Sequence, residues 1–263
     1  MMPPAPFASA SGSKASSGSW RLPRRLAYVV SHSLPYARNG YALRSHAVAR
    51  ALSSYGIEVL VINRPGRPWD LDEFRSETPF RAEQRIESIR YLFLPLPPIG
   101  AHPRSQAARQ HERLTEAFRL LRPAAVMAAS DWRCAAPALA AARQLYLPFF
   151  YEQRGFWDLH PELDAETAAQ HRAREIQVAQ AARSVFTLNQ AMREELITRG
   201  VAPERIYLVP NGLSRPHQPM FESQQQTPEN AGIDAGAQTA AAKPLISKMP
   251  VLELGVSKIA IPT

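Results

Sequence analysis

The chain has 263 residues, 45% of them hydrophobic, so it can bury a sizeable core and is not a disordered protein. Its formal net charge of +8 comes mostly from arginines scattered along the sequence, which favours anionic small molecules or an anionic membrane surface over nucleic acid as partners. Cys134 is the only cysteine, which excludes an internal disulfide and makes the cytoplasm the default location.

The N-terminal segment 1–23 is rich in Ser, Ala and Pro and lacks the continuous apolar stretch of a signal peptide, so we predict a disordered leader. No apolar run approaches the roughly 18 residues of a membrane span. Any membrane contact is therefore predicted to be peripheral, at the inner face. The basic segment from Ser105 to Leu121 could dock on such a surface, although a solvated helix face explains its arginines equally well.

From Leu26 onward, short apolar runs alternate with longer segments of helical spacing, a pattern typical of a parallel sheet with crossover helices. The predicted fold is α/β: a Rossmann-like, mostly parallel, seven-stranded sheet with helices on both faces. The predicted strands are LAYVV, IEVLVI, RYLFL, AAVMA, PFFYE, SVFTL and IYLVP. The predicted helices are Leu43–Tyr55, Ser105–Leu121, Ala135–Leu145, Glu162–Ala182 and NQAMREELITRG, which runs from Asn189 to Gly200.

The character of the sequence changes after VPNG, which ends at Gly212. The segment that follows is polar, Gln-rich and aperiodic, and only the last residues regain some hydrophobicity. We therefore predict one domain over residues 24–212 and a disordered or irregular, linker-like tail over residues 213–263.

Ligands of open parallel sheets collect outside the carboxyl ends of the strands, and the residues there are unusually polar in this chain. Gly40 follows the first predicted strand where a helix begins, so its backbone could approach an anion that the helix amides and dipole attract. A turn glycine without a ligand is the alternative. The sequence contains neither the dinucleotide-binding glycine fingerprint nor the P-loop lysine motif.

Six further polar or aromatic candidates follow these strands or begin the next helix: Arg44, His46, Glu152, Arg154, Trp157 and Asp158. The first four are expected to meet at one edge of the sheet. Each of these four residues also has a structural alternative. Arg44 could lie on a solvated helix face, and His46 could be a hydrogen-bonded histidine beside the core. Glu152 and Arg154 could form a structural ion pair. The Trp–Asp pair could bind a sugar or anchor a loop.

The order of these motifs resembles the N-terminal domain of the GT-B glycosyltransferases, specifically the family 4-like group. The resemblance covers roughly Leu26 to Gly212. It rests on NGYALRSHAVARALSSYGIEVLVI, RPGRPWD, YEQRGFWD and ARSVFTLNQAMREELITRGVAPERIYLVPNG. The last stretch is the most specific, because in that family the sequence from the sixth strand through VPNG closes the N-terminal domain.

The resemblance implies transfer of a sugar from a nucleotide-sugar donor to a glycolipid or polysaccharide acceptor, with no cofactor, no metal and no nucleic-acid partner. The glycine loop, formed by Asn39, Gly40 and Tyr41, would lie near the donor diphosphate, with Asn39 in place of the family's first glycine. Glu152 and Arg154 would lie near the reacting centre, where many members have a histidine at the second position. The implied acceptor-side residues are Arg44, His46, Arg64, Asp70, Asp131 and Trp157.

Family members place the donor-sugar contacts in a C-terminal domain that includes two glutamates separated by seven residues. No such pair occurs after Gly212, so we expect this chain to hold half of a GT-B cleft and to transfer no sugar by itself. A truncated or frame-shifted gene, a separately encoded partner domain and a noncatalytic ligand- or partner-binding chain remain the alternatives. A nucleotide-dependent oxidoreductase is disfavoured by the missing glycine fingerprint.

Overall fold

The computed structural model of the chain describes residues 20–71, 74, 82–96 and 103–212. The predicted tail over residues 213–263 and most of the predicted leader lie outside the described residues. The last four residues of that leader are described, and the Leu22 N–H donates to the Arg122 carbonyl at 2.7 Å.

Strands and helices alternate along the described residues. The strands are β1 (Arg25–Val30), β2 (Glu58–Asn63), β3 (Glu83–Ile86), β4 (Ile89–Leu92), β5 (Ala125–Ala129), β6 (Phe149–Gln153), β7 (Ser184–Thr187) and β8 (Ile206–Leu208). The helices are α1 (Gly40–Ser54), α2 (Pro103–Leu121), α3 (Trp132–Gln144), α4 (Ala165–Ala181) and α5 (Gln190–Thr198). None of these helices combines the length and the apolar character needed to span a bilayer.

The strands form one sheet in the order β3-β4-β2-β1-β5-β6-β7-β8, and every neighbouring pair except β3 and β4 is parallel. The predicted α/β class and mostly parallel sheet are confirmed, with eight strands among the described residues instead of seven. The additional strand, β3, has the sequence EQRI and pairs antiparallel with β4. The β3 strand lies at the edge of the sheet and is held there by backbone pairing with β4. Such an edge strand can be short and charged, so its sequence contains no apolar run that would predict it.

Helices cover both faces of the sheet, as predicted. On one face, Ala27 and Val29 of β1 belong to a buried core with Leu114 of α2, Ala138 of α3 and Val178 of α4. The opposite face carries α1, which packs on β2 and β4. Because the residues of a strand alternate between faces, each central strand is buried on both sides.

Side-chain caps set where several helices begin. Asn39, Asp131, Asp164 and Asn189 each accept a hydrogen bond from a backbone N–H in the first turn of the helix that follows. Such a cap satisfies a donor that has no partner within the helix. Asn39 and Asp131 thereby place the N-termini of α1 and α3 at the carboxyl ends of the strands, which we call the carboxyl edge.

Candidate functional site

The N-terminus of α1 lies at the carboxyl edge, after the loop that follows β1. Asn39 Oδ1 accepts from the Ala42 N–H at 3.0 Å, and Asn39 Nδ2 lies 2.9 Å from Nε2 of His32. A Cβ atom built on Gly40 would meet no described atom within 4 Å. The backbone of the first turn is therefore open to an approaching ligand on the described part of the chain.

Tyr41 connects this helix start to its surroundings. Its ring centroid lies 4.5 Å from that of His32, and the guanidinium carbon of Arg154 lies 4.5 Å from the Tyr41 ring centroid. The Tyr41 hydroxyl accepts from the Ser31 N–H at 3.0 Å. The hydroxyl and the ring thus contact neighbouring protein groups.

Glu152, at the end of β6, is the centre of a buried ion-pair network. Its residue exposure is 3%, and its carboxylate accepts from Arg44 Nε at 2.9 Å and from Arg154 Nη2 at 2.8 Å. It also accepts from the Tyr28 hydroxyl of β1. The structure therefore brings Arg44, Glu152 and Arg154 together, as the sequence predicted.

Arg154 extends this network into the first turns of α1. Its side chain is 7% exposed, and Nη1 donates at 3.0 Å to both the Tyr41 carbonyl and Ser45 Oγ. Nη2 also donates to the Tyr28 hydroxyl. One guanidinium thus ties the end of β6 to β1 and to the start of α1.

Both charges of the central pair persist despite burial. Burial by itself would raise the pKa of Glu152, but Arg154, Arg44 and the Tyr28 hydroxyl outweigh it and hold that pKa below its usual value. Burial would likewise lower the pKa of Arg154, yet Tyr28 and Glu152 keep it above its usual value. Two guanidiniums therefore share one buried carboxylate.

A second group of charges follows β2. Arg64 Nη2 donates to Asp70 Oδ2 at 2.6 Å, and Arg67 Nε lies 3.3 Å from Asp70 Oδ1. Burial lowers the pKa of His32, and the charges of Arg67, Arg154 and Arg64 lower it further against an opposing side-chain hydrogen bond. Burial is thus the main cause of the lowered pKa of His32, and the charges of the three arginines add to it.

Asp131 lies at the same edge, after β5, as the cap of α3. Its Oδ1 accepts from the Arg133 N–H at 3.1 Å, and its Oδ2 accepts from Arg133 Nη1 at 3.0 Å. Capping and pairing with its own neighbour account for both carboxylate oxygens.

The loop after β6 carries Trp157 and Asp158, which are adjacent in sequence but lie in different environments. Trp157 is 49% exposed. The Asp158 side chain is 1% exposed and accepts from Arg172 Nε and Arg199 Nη1, each at 2.9 Å. Asp158 is thus a loop anchor, and Trp157 remains the side chain that faces solvent.

His46 does not join the other residues at the carboxyl edge. It is 2% exposed between α1 and β4, with Nδ1 2.6 Å from the Tyr91 hydroxyl and Nε2 3.5 Å from a carboxylate oxygen of Glu87. Burial lowers its pKa, in part against the opposing effect of Glu87. This placement matches the alternative of a hydrogen-bonded histidine beside the core.

Sequence reasoning did not single out Tyr28 or Ser45, although both contact Arg154. Tyr28 belongs to an apolar run, where nothing in the local pattern indicates that its hydroxyl has an ionic partner. Ser45 occupies an ordinary helix position. Arg154 is 126 residues from Tyr28 and 109 from Ser45 in sequence, so only the tertiary structure reveals these contacts.

Within the part of the chain that the structure describes, no three His, Cys, Asp or Glu side chains are grouped to hold a metal ion. The site consists of a helix N-terminus, two sets of paired charges and an exposed tryptophan at the carboxyl edge of a parallel sheet. This arrangement lies on a Rossmann-like domain, at the edge where open parallel sheets commonly bind ligands.

A family model described as "Glycosyl transferase 4-like domain" matches residues 39–212, which is most of the chain. The chain belongs to this glycosyltransferase 4-like family. The match confirms the resemblance to the N-terminal domain of family 4-like GT-B proteins and ends at Gly212, as that resemblance does. No sequence among curated proteins matches the chain.

Solved structures share the fold at low identity. A sucrose-phosphate synthase from Thermosynechococcus elongatus is 13% identical, with a TM-score of 0.50 over 72% of this chain and 89% of that chain. The UDP-GlcNAc 2-epimerase from Methanocaldococcus jannaschii, in complex with UDP-GlcNAc and UDP, is 11% identical, with a TM-score of 0.50 over 70% of this chain and 46% of that chain. This chain thus spans less than half the length of that epimerase.

Proposed function

We propose that this chain takes part in transferring a sugar from a nucleotide-sugar donor to an acceptor on a glycolipid or polysaccharide pathway. In this proposal the start of α1 holds the donor diphosphate, and the residues beside it bind the acceptor. The observation that carries the proposal is the open first turn of α1 at Gly40, whose cap residue Asn39 also contacts His32.

Elementary electrostatics supports a diphosphate at this place. The first N–H groups of a helix have no partner within the helix, and the helix dipole adds a positive potential at the same end. The guanidinium groups of Arg64, Arg67 and Arg154 lie close enough to His32 to contribute to its lowered pKa, and each is also paired with a carboxylate, Asp70 or Glu152. Family membership supports the same reading, and one protein of similar fold was solved with UDP-GlcNAc and UDP.

In this proposal Arg154 and Glu152 act as buried residues that support the open first turn of α1. The Arg154 guanidinium bonds the Tyr41 carbonyl, which holds the first turn of α1 against the end of β6. Glu152 holds Arg154 and Arg44 in turn. We therefore propose that this pair positions the reacting centre, with Arg154 in the place where many relatives have a histidine.

The acceptor would bind along the rest of the carboxyl edge. Trp157 offers an exposed aromatic ring of the kind on which a sugar ring can stack. Arg64 and Asp70 offer a paired donor and acceptor after β2. We propose Arg44 and Asp131 as flanking groups of the same surface, whereas the burial of His46 beneath α1 favours a packing role.

A noncatalytic chain that binds an anionic ligand through the same edge is the second candidate function. One observation favours it: Glu152 and Arg154 are bonded to each other and to other protein groups. Sugar transfer requires turnover of the nucleotide-sugar donor, whereas noncatalytic binding does not. Incubation with a panel of UDP- and GDP-sugars, alone and with a candidate C-terminal donor domain, followed by assay of nucleotide release, would distinguish them.

Gly40→Val is expected to weaken UDP binding by at least about tenfold, equivalent to about 1.4 kcal/mol, because the side chain would fill the space that a phosphate needs. The fold should be unaffected, since a Cβ at this position meets no described atom within 4 Å. NMR titration with UDP measures the affinity. In the unmodified chain, bound phosphate should also raise the pKa of His32 by opposing the field of the arginines.

Gly155→Val is the matched control, because a Cβ there also meets no described atom within 4 Å but follows β6 instead of opening α1. UDP affinity should remain close to that of the unmodified chain. An affinity for UDP that Gly40→Val leaves unchanged would mean that the start of α1 is only a turn, and the proposed phosphate site would be wrong.

A further inference from the structure

Among the residues that the structure describes, net positive charge is concentrated at the sheet edge opposite the candidate site. We call this surface the amino edge and define it by the segments that lead into six strands: 20–25, 55–58, 119–125, 143–149, 182–184 and 200–205. These segments carry eight arginines, two glutamates and neither lysine nor aspartate. The described segments 31–40, 63–71, 130–133 and 153–164, at the carboxyl edge, carry five arginines and five carboxylates.

Most of the amino-edge arginines face solvent. The exposed ones are Arg24, Arg119, Arg122, Arg143 and Arg183. Of the two glutamates, Glu58 is already bonded to Arg25 at 2.7 and 2.9 Å. The amino edge therefore presents a net positive surface that its own carboxylates do not neutralise.

Aromatic side chains lie among these arginines. Tyr146 is 85% exposed and Trp20 is 38% exposed. Arg122 Nε donates to the Trp20 carbonyl, and Arg21 Nη2 donates to the Tyr146 carbonyl at 2.5 Å, so the turns that carry them form one continuous patch. Exposed Trp and Tyr between basic residues are the composition that a water–lipid interface favours.

Backbone conformation provides an independent observation. Four turns at this edge, after α1, α2, α3 and α5, contain a residue with positive φ: Gly56 (76°), Arg122 (55°), Tyr146 (53°) and Gly200 (88°). Glycine adopts this conformation without steric cost, whereas residues with a Cβ do not. The chain uses glycine at two of these turns and large, exposed side chains at the other two, where local stability favours glycine.

We propose that the amino edge is a docking surface for an anionic lipid bilayer. Arginine attracts the anionic headgroups, and the Trp20 and Tyr146 rings enter the interface between headgroups and acyl chains. The surface shares Arg119, at the end of α2, with the basic segment considered from sequence, but it does not include the rest of that segment, where α2 packs on α3 and Arg113 is paired with Glu116 at 2.5 Å. The inference is independent of sugar transfer, and a docked chain would turn its carboxyl edge away from the bilayer.

The test is co-sedimentation of the full chain with vesicles of phosphatidylcholine, with and without about 30 mol% phosphatidylglycerol, at low and high salt. We expect binding to the anionic vesicles, weakened by salt, and little binding to the neutral ones. The double variant Arg122→Gly/Tyr146→Gly should reduce binding by about tenfold or more, since it removes a charge and an interfacial ring. Its thermal midpoint should stay the same or rise, because glycine fits both φ angles.

The matched control is Leu159→Ser/Arg174→Gln, which removes one exposed apolar side chain and one exposed arginine outside the amino edge. It should bind vesicles as the unmodified chain does. Equal binding by the glycine variant and the unmodified chain, or equal binding to neutral and anionic vesicles, would overturn the proposal. The proposal would also be overturned if the chain bound no vesicles but bound RNA in a gel shift, or associated with a second copy of itself in size-exclusion chromatography.

Discussion

Glu152→Gln is expected to lower the free energy of unfolding by about 3–5 kcal/mol, because it leaves two guanidiniums without their shared counter-charge in a buried place. Arg154 and Arg44 have side chains that are only 7% and 15% exposed. An arginine cannot escape this cost by losing its proton. Glutamine keeps the shape but replaces one acceptor oxygen with an NH2 donor, so the loss reports the missing charge together with one lost acceptor. Urea unfolding followed by circular dichroism measures it.

A surface pair of similar geometry provides the control for this substitution. Glu83 accepts from Arg90 Nε at 2.8 Å, but its side chain is 46% exposed, so Glu83→Gln should cost below about 1 kcal/mol. Adding Arg154→Met to Glu152→Gln should recover part of the loss, since it removes one of the uncompensated charges. If Glu152→Gln costs no more than Glu83→Gln, the network does not hold the site together.

The free energy of unfolding of the unmodified chain is expected to fall as the pH rises from about 4.5 to about 7, and Glu175→Gln is expected to abolish this fall. Burial raises the pKa of Glu175 from its usual 4.5 to about 7, although the Tyr151 hydroxyl and the Trp132 N–H both donate to its carboxylate. In this interval the folded chain holds a proton that the unfolded chain has released. Stability therefore falls as pH rises through the interval and levels off above it.

The difference in unfolding free energy between Glu175→Gln and the unmodified chain should grow by about 2–3 kcal/mol from pH 4.5 to pH 8. Urea unfolding of both proteins across this range measures that difference and cancels the groups they share. Glu166→Gln, which removes an exposed carboxylate from the same helix, should change stability by no more than about 0.5 kcal/mol at any pH. A difference that does not depend on pH would contradict the raised pKa.

Local patterns predicted most of the fold because they reflect burial and capping, which act over a few residues. The apolar runs became strands of one parallel sheet, and helical spacing from Leu43 to Tyr55 became α1. That helix begins three residues earlier than its apolar spacing, at Gly40, because Asn39 supplies the cap. β3 is the exception, since its antiparallel partner stabilises a strand with no apolar run.

The candidate site was predictable only in part. Residues after the strands were expected at one edge, and Arg44, Glu152 and Arg154 do meet there. His46 lies only two positions beyond Arg44, yet it faces β4, because neighbouring helix positions point in different directions. The contact of Tyr28 with Arg154 could not be read from either segment, since it joins residues 126 positions apart.

The distribution of charge over the surface of the domain cannot be read from the sequence alone. The amino-acid sequence determines the net charge of +8 and shows arginines scattered along the chain. Only the tertiary structure decides that eight of these arginines lie at one edge of the sheet, because each parallel strand starts at that edge and the crossover helices return the chain there. Residues far apart in sequence thereby share one surface, and the described segments at the opposite edge carry as many carboxylates as arginines.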